Sequence, residues 1–196
     1  MRDTVSPAVF IDRDDTIMKD CGYCSDPKDV KIFPGVPEAL QRLKSNGFKL
    51  IIITNQSGIG RRLFTLEQYR AVEAEVLRQL GDGLIEATYF CPDLPGQQST
   101  HRKPAPGMIV DASRDHQIDL SRSFLIGDKE IDVECAHNAG LRAIRVRTGL
   151  QGDITESMAD WVAHDLPAAV EIILGTRDGP AVIPSEVEES RGKTKS

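Results

Sequence analysis

Short apolar runs alternate along the chain with stretches in which apolar residues recur every three or four positions. The runs lie at residues 9–11, 48–54, 85–90, 123–127 and 143–148. They are nearly continuous and rich in β-branched and aromatic residues, which is typical of strands that a parallel sheet buries on both faces. The pattern therefore predicts five core strands.

The stretches between these runs have helical spacing. Predicted helices run from Pro34 to Gly47, from Thr65 to Leu80, from near Met108, after Asp128 as far as Gly140, and over residues 166–174. Thr65 and Gln68 match a capping box, segment 57–64 is predicted as a loop, and Trp161 with Val162 as a short edge strand. The alternation predicts an α/β fold: a doubly wound, mostly parallel sheet with helices on both faces and right-handed crossovers.

Length and composition fit one domain. The chain has 196 residues, of which 40% are hydrophobic, enough for one sizeable core but not for a second large one. From Gly175 onward the composition becomes polar, charged and interrupted by proline. We expect a single domain over residues 1–174 and a disordered tail over residues 175–196.

The charge and the N-terminus narrow the class of partner. The formal net charge is −6, which argues against binding to nucleic acid or to anionic membranes, because both need a basic face. The first residues lack the pattern of a signal peptide, and no apolar run approaches the ~20 residues of a membrane span. We therefore expect a cytoplasmic protein.

The chain contains four cysteines, at Cys21, Cys24, Cys91 and Cys135. A cytoplasmic location argues against structural disulfides, so we expect reduced thiols. The segment "CGYC" has thioredoxin-like spacing, but it follows an acidic cluster and does not join a strand to a helix. An ordinary loop is therefore favoured there over redox or metal chemistry.

Three carboxylates follow the first predicted strand directly. In "AVFIDRDDT" these are Asp12, Asp14 and Asp15, and they emerge at the carboxyl end of a buried strand, where open α/β sheets bind ligands. Like charges repel, so the cluster needs a counter-charge. Hard oxygen ligands at one point favour a divalent cation such as Mg²⁺, or a phosphate held by a cation.

Further polar residues lie at or just beyond the ends of other predicted strands. Thr54, Lys103 and Asp128 join Asp12 and Asp14 in this position, and a doubly wound sheet brings such residues into one crevice. Phosphoryl transfer needs a nucleophile, an acid for the leaving oxygen, and positive charge around the transferred group. Each role has a candidate in this set.

Four ordered motifs, "DRDDT", "TNQSG", "RKPAPGM" and "GDKEID", resemble those of the haloacid dehalogenase (HAD) superfamily of phosphohydrolases. Together with "GYCSDPKDVKIFPGV" and "FCPDLP" they resemble more closely the D,D-heptose 1,7-bisphosphate phosphatases, whose near relatives are histidinol-phosphate phosphatases. The similarity covers about residues 8–174. It implies a HAD-like Rossmannoid fold and a magnesium-dependent phosphoric monoester hydrolase of carbohydrate metabolism, acting as a monomer on a small sugar phosphate.

The resemblance also implies roles for individual residues. Asp12 would be the nucleophile that forms an aspartyl-phosphate, and Asp14 the general acid and then the base for water. The Asp12 carboxylate, the Asp14 backbone carbonyl and Asp128 would hold Mg²⁺. Thr54 would donate to the transferred phosphate and Lys103 would neutralise it. The implied substrate contacts are Asp20, Cys21, Gly22, Tyr23, Thr54, Asn55, Gln56, Ser57, Arg102, Lys103 and Lys129.

The sequence departs from the family pattern in two places. The first motif usually has glycine where this chain has Asp15, so the turn must accept a side chain; Asp tolerates unusual backbone angles better than most residues. Many relatives also hold a structural zinc ion before the Arg-Lys pair. Here only Cys91, Asp93 and His101 remain for an incomplete site, and plain loop packing is favoured because closed zinc sites want four ligands.

No long insertion follows the first motif or the third strand, so we expect no cap domain. Short loops would then shape the leaving-group pocket, at residues 20–23, 57–62 and 91–102. The favoured function is removal of the 7-phosphate from a heptose 1,7-bisphosphate. Two alternatives stay open: a histidinol-phosphate or broader small-molecule phosphatase, and an inactive module that binds phosphate.

Overall fold

Strand and helix positions follow the predicted alternation. The computed structural model describes residues 5–149 and 156–176. The strands are β1 Ala8–Ile11, β2 Lys49–Asn55, β3 Ala87–Cys91, β4 Phe124–Gly127, β5 Arg142–Val146 and β6 Trp161–Ala163. The helices are α1 Val36–Ser45, α2 Ser57–Gly60, α3 Leu66–Leu80, α4 Gly107–Asp115, α5 Glu130–Asn138 and α6 Leu166–Gly175.

The strands form one sheet in the order β3-β2-β1-β4-β5-β6. Every pairing in it is parallel, which confirms the α/β prediction of a doubly wound, mostly parallel sheet. The chain runs from β1 through β2 to β3 at one edge of the sheet. It then returns to the centre, where β4 pairs with β1. The carboxyl ends of β1, β2 and β4 therefore lie together at the point where the strand order reverses.

Successive residues of the central strands face opposite sides of the sheet, as the pleat requires. Val9, Ile11 and Ile52 join a core that also contains most of the buried residues of α1, α3 and α6. Phe10 and Ile53 point the other way, into a second core with α4 and α5. Because both faces are covered by helices, the strands carry the continuous apolar runs from which they were predicted.

Helix α3 begins as the sequence predicts. Thr65 Oγ1 accepts a hydrogen bond from the Gln68 amide at 3.2 Å, and Gln68 Oε1 accepts one from the Thr65 amide at 2.8 Å. This reciprocal pair satisfies two of the donors that a helix N-terminus leaves free. The capping box is confirmed.

The loop predicted for residues 57–64 is wrong in its first half, where α2 forms a helical turn. The glycines are needed there because of close packing. A Cβ on Gly58 would lie 2.1 Å from the Phe64 ring, and one on Gly60 would lie 2.4 Å from the Pro92 carbonyl oxygen. The turn therefore packs so closely against Phe64 and Pro92 that only glycine fits at these two positions.

Segments outside the sheet are short. Between β1 and α1 the only helix is the single 3-10 turn Pro27–Asp29, so no cap domain is inserted there. Helix α6 ends at Gly175, the first residue of the predicted tail. Residues 177–196 of that tail lie outside the described residues, so its disorder stays a prediction. None of the helices in the described ranges has the length and apolar character needed to cross a membrane.

Candidate active site

Four of the predicted catalytic and metal-binding residues meet at the carboxyl edge of the sheet. Asp12 follows β1, Thr54 lies near the end of β2, and Asp128 follows β4. The Asp12 amide donates to the Ile126 carbonyl at 2.9 Å, which continues the β1–β4 ladder by one residue and fixes where the carboxylate emerges. Lys103 reaches the same place from the loop before α4.

Lys103 is the central cation of the site. Its Nζ lies 2.5 Å from Asp12 Oδ1 and 2.7 Å from Asp132 Oδ1, and it donates to the Ile53 carbonyl at 3.0 Å. The Lys103 side chain is only 2% exposed. A buried ammonium is retained when it has anionic partners and satisfied donors, and these contacts supply both.

Three buried carboxylates lie close together, and two of them contact Lys103. Asp12, Asp128 and Asp132 each offer an oxygen within 4.8 Å of the others, and they form the one group of three or more possible His, Cys, Asp or Glu ligands found among the residues that the structure describes. Burial raises the pKa of Asp12 to about 7, opposed by Lys103 and helped by Asp132 and Asp128. Burial also raises the pKa of Asp128 to about 6.

This donor set fits a hard divalent cation. The raised pKa values mean that the local positive charge does not fully balance the carboxylates in their ionised form. Lys129 Nζ lies 3.0 Å from Asp128 Oδ2 and supplies one more positive charge to the group. A cation bound by these oxygens would favour ionisation of the carboxylates.

Asp14 is held apart from that group by other partners. Arg13 donates to both of its carboxylate oxygens at 2.9–3.1 Å. Gln56 Nε2 donates to Asp14 Oδ2 at 2.8 Å and to Thr54 Oγ1 at 2.8 Å. The Asp14 carboxylate is therefore fixed in orientation by Arg13 and Gln56 and is not a member of the Asp12, Asp128 and Asp132 group.

The turn after Asp14 accommodates Asp15 in the left-handed region, with φ of 59°. The Asp15 carboxylate accepts a hydrogen bond from the Asp20 amide at 3.0 Å, and its carbonyl accepts one from Thr148 Oγ1. Aspartate replaces glycine here because its short side chain accepts this local hydrogen bond. The substitution ties the turn to the loop that begins at Asp20.

Two adjoining cavities open at the site. The first, of about 120 Å³, is lined by Asp12, Asp14, Asp20, Thr54, Asn55, Lys103, Lys129, Ile131 and Asp132. The second, of about 330 Å³, is lined by Arg13, Asp14, Asp20, Gly22, Tyr23, Cys24, Asn55, Gln56, Ser57 and Gly58. They share Asp14, Asp20 and Asn55. The two cavities therefore adjoin at these three residues, and Asp14 lines both of them.

Residues 100–169 match the family model described as HAD-hydrolase-like. A D-glycero-D-manno-heptose-1,7-bisphosphate 7-phosphatase of Thermosynechococcus vestitus is 38% identical over 186 residues, which cover 85% of this chain and 95% of the relative. The D-glycero-beta-D-manno-heptose-1,7-bisphosphate 7-phosphatase of Escherichia coli is 37% identical over 182 residues, covering 84% and 94%. This chain belongs to their family.

A solved structure supports the same relationship. The D,D-heptose 1,7-bisphosphate phosphatase of B. bronchiseptica, crystallised with magnesium and phosphate, superposes with a TM-score of 0.78 at 29% identity, covering 86% of this chain and 98% of that one. The chain is thus a HAD-type phosphatase, a phosphoric monoester hydrolase. The resemblance carried by its four motifs is confirmed.

Most predicted substrate contacts of this HAD-type phosphatase line the two cavities, but Arg102 and Cys21 line neither. Arg102 Nη1 donates to the Asp93 carbonyl at 2.9 Å. Asn55 has a structural task as well: its Nδ2 donates to the Lys103 carbonyl at 3.1 Å and its Oδ1 accepts from the Lys103 amide at 3.0 Å. Asn55 therefore sets the position of Lys103.

The three candidate zinc ligands do not all meet: Cys91 and Asp93 contact each other, but among the described residues Cys91, Asp93 and His101 do not form a group with ligand atoms within 4.8 Å of one another. Cys91 Sγ lies 3.7 Å from Ser99 Oγ, whereas His101 Nε2 lies 2.8 Å from Asp111 Oδ2. The His101 ring thus contacts Asp111 of helix α4. All four cysteines are free thiols, as predicted.

Three residues of the site were missed or left undecided by sequence reasoning. Asp132, the last residue of the motif "GDKEID", could act as a helix-start acid or as a support for the site, which the sequence does not decide. In the structure it does both, because its Oδ2 accepts from the Lys129 amide at 3.1 Å while Oδ1 lies beside Lys103. Gly149 was missed: a Cβ there would lie 2.1 Å from Asp128 Oδ2. Arg13 was also missed, although its place between two motif aspartates was a signal.

Proposed function

We propose that this phosphatase removes the 7-phosphate of D-glycero-D-manno-heptose 1,7-bisphosphate through an aspartyl-phosphate on Asp12. The observation that carries the proposal is the Asp12 carboxylate, held 2.5 Å from Lys103 Nζ in the lining of a small cavity that shares Asp14 with a larger one. The similar proteins of T. vestitus, E. coli and B. bronchiseptica are heptose bisphosphate phosphatases, which supports the choice of substrate.

In the first step an Asp12 carboxylate oxygen attacks phosphorus and the bond from phosphorus to the sugar oxygen breaks. Asp14, protonated at that moment, gives its proton to the departing sugar oxygen. Lys103 and Thr54 lie where they would neutralise and orient the equatorial oxygens of the transferred group. In the second step water attacks phosphorus, Asp14 takes the proton, and the bond from phosphorus to Asp12 breaks.

Mg²⁺ is the proposed cofactor. The Asp12 and Asp128 carboxylates and the Asp14 carbonyl would hold it, and Asp132 completes the acidic group that surrounds them. When bound, the cation lowers the repulsion between the Asp12 carboxylate and the anionic phosphate. The B. bronchiseptica phosphatase was crystallised with magnesium and phosphate, which supports this choice.

The larger cavity is the proposed binding place of the sugar. Its lining residues come from the loop after β1 and from the end of β2 with the turn α2. Of the three short segments expected to shape the leaving-group pocket, 20–23 and 57–62 therefore contribute to it and 91–102 does not. A volume of about 330 Å³ suits a monosaccharide phosphate better than a macromolecule. A cytoplasmic location and a monomeric state stay predictions.

The decisive experiment is phosphate release with Mg²⁺ from the α and β anomers of heptose 1,7-bisphosphate and from histidinol phosphate. We expect one heptose anomer to have the highest kcat/KM and Asp12→Asn to abolish release. Asp29→Asn is the matched control, because Asp29 is an exposed acid on the 3-10 turn. Preference for histidinol phosphate would favour the first alternative, and binding without release would favour the inactive module.

A further inference from the structure

Arg13 takes no part in the mechanism described above, yet its side chain is only 3% exposed at the centre of the site. It lies between the proposed nucleophile and the proposed general acid in the chain. Its carbonyl accepts hydrogen bonds from the amides of Ile17 at 2.9 Å and Met18 at 3.1 Å, so the backbone at this residue is fixed by the turn that follows.

The Arg13 guanidinium binds the Asp14 carboxylate as a fork. Nε donates to Oδ1 at 3.1 Å, and Nη2 lies 2.9 Å from both Oδ1 and Oδ2. Gln56 Nε2 occupies Oδ2 from another direction at 2.8 Å. Because both oxygens are held, rotation of the carboxylate about its own axis would break several charge-assisted hydrogen bonds together.

The fork itself is anchored to the core. The Arg13 guanidinium lies over the ring of Tyr69, with Cζ 5.7 Å from the ring centroid. Tyr69 is fully buried in α3 and packs against Phe90 of β3 at a centroid distance of 4.5 Å. Gln56 is held by its backbone, because its main-chain amide donates to the Cys91 carbonyl at 2.7 Å. Helix α3 and strand β3 thus support the groups that grip Asp14.

The arginine is not explained by stability alone. Its Nη1 is buried without a hydrogen-bond partner among the residues that the structure describes, and burying a guanidinium with an unsatisfied nitrogen opposes folding. The remaining nitrogens are directed to one carboxylate at the edge of the cavity. Such an arrangement is expected where the orientation of that carboxylate matters for the reaction.

We propose that Arg13 is a positioning residue for the proton transfer: it holds the Asp14 carboxylate in line with the leaving oxygen, and Gln56 completes the grip. The inference rests on the proposed role of Asp14 as general acid. In the step concerned, Asp14 carries its proton on Oδ2 while Oδ1 stays bound to Arg13 Nε and Nη2; the bond from phosphorus to the leaving oxygen breaks as the Oδ2 proton moves to that oxygen. Arg13 itself neither gives nor takes a proton.

If Arg13 has this role, its loss should affect substrates differently, according to whether the leaving oxygen must be protonated as it departs. A sugar alkoxide is a poor leaving group and depends on the acid, whereas 4-nitrophenolate is a stabilised anion that leaves without it. Loss of Arg13 should therefore slow the first step, release of the leaving group, for sugar phosphates and spare that step for 4-nitrophenyl phosphate. A loss of structure would slow both alike.

The test compares Arg13→Gln and Arg13→Lys with Asp14→Asn, alone and combined, on a sugar phosphate and on 4-nitrophenyl phosphate. For Arg13→Gln we expect release of the leaving group from the sugar phosphate, measured in a single turnover, to slow by about 10²-fold, the scale of a misplaced catalytic group, with a far smaller loss on 4-nitrophenyl phosphate. Arg13→Lys keeps the charge without the fork and should show a smaller version of the same split. In the Asp14→Asn background the Arg13 change should cause no further loss.

Val170→Ala in α6 is the matched control for lost stability, because Val170 is fully buried away from the cavities. Equal losses on both substrates, or losses that multiply in the double variant, would overturn the proposal. If Arg13→Gln does not fold, Arg13→Lys and Tyr69→Leu, which removes the ring beneath the guanidinium, carry the same comparison.

The outcome is separable from the proposed function. If heptose bisphosphate is not hydrolysed but another alkyl phosphate is, the proposed substrate fails and the Arg13 comparison is made with that alkyl phosphate. If wild-type protein releases phosphate from no ester, both proposals are refuted.

Discussion

Asp128→Asn should make the metal-free protein more stable at pH 8 than the wild type, although it removes a proposed metal ligand. The Asp128 side chain is fully buried beside Asp132, and burial raises its pKa from the ordinary value of 3.8 to about 6. The folded state therefore holds a proton more tightly than the unfolded state does. Stability falls as pH rises from about 4 to about 6, and the penalty is complete above that window.

The size of the effect follows from the shift in pKa. A difference of about two pKa units corresponds to roughly 3 kcal/mol at high pH, of which about 1 kcal/mol is already present at pH 4.5. Asparagine has the shape of the carboxyl group but no charge to desolvate. We therefore expect the stability of Asp128→Asn relative to the wild type to rise by about 2 kcal/mol between pH 4.5 and pH 8.

The assay is urea unfolding of both proteins after treatment with a chelator, at pH 4.5 and pH 8, repeated at pH 8 with Mg²⁺. The cation should stabilise the wild type at pH 8 and have far less effect on Asp128→Asn, since binding to the native state alone adds to its stability. A stability difference that does not change with pH, or an equal Mg²⁺ response in both proteins, would refute the reasoning.

Three further perturbations probe other parts of the structure. Lys103→Met should lower kcat by at least about 10²-fold, because it removes the cation beside the transferred group; phosphate release measures this, and near-normal turnover would contradict it. Gly149→Ala should raise the Mg²⁺ concentration needed for half-maximal activity, since its Cβ would lie 2.1 Å from Asp128 Oδ2 and displace that carboxylate; an unchanged Mg²⁺ titration would be the opposing result. Thr65→Ala should cost about 1 kcal/mol in urea unfolding with kcat unaltered, and no change in stability would argue against the capping box.

Much of the fold was predictable because its signals are local. Strands buried on both faces need continuous apolar runs, so β1, β2 and β4 appear directly in the sequence. Once their order is that of a doubly wound sheet, Asp12, Thr54 and Asp128 must lie near one another, whatever the loops do. The meeting of these residues follows from backbone topology, which short-range patterns report well.

The remaining features depend on side-chain direction and close approach. Arg13 follows a strand and has no periodic signature; its direction is set by Tyr69 and Asp14 in the folded chain. The turn α2 contains two glycines, which normally indicate a loop. They are needed in this helical turn because Phe64 and Pro92 leave no room for a larger side chain. The direction of the His101 ring likewise depends on its contact with Asp111.

The most direct measurement of the central claim is ³¹P NMR of heptose 1,7-bisphosphate during turnover with Mg²⁺. The account predicts that the signal of the 7-phosphate is replaced by inorganic phosphate while the 1-phosphate signal persists, and that neither changes with Asp12→Asn. Loss of the 1-phosphate first, or release that continues with Asp12→Asn, would contradict it.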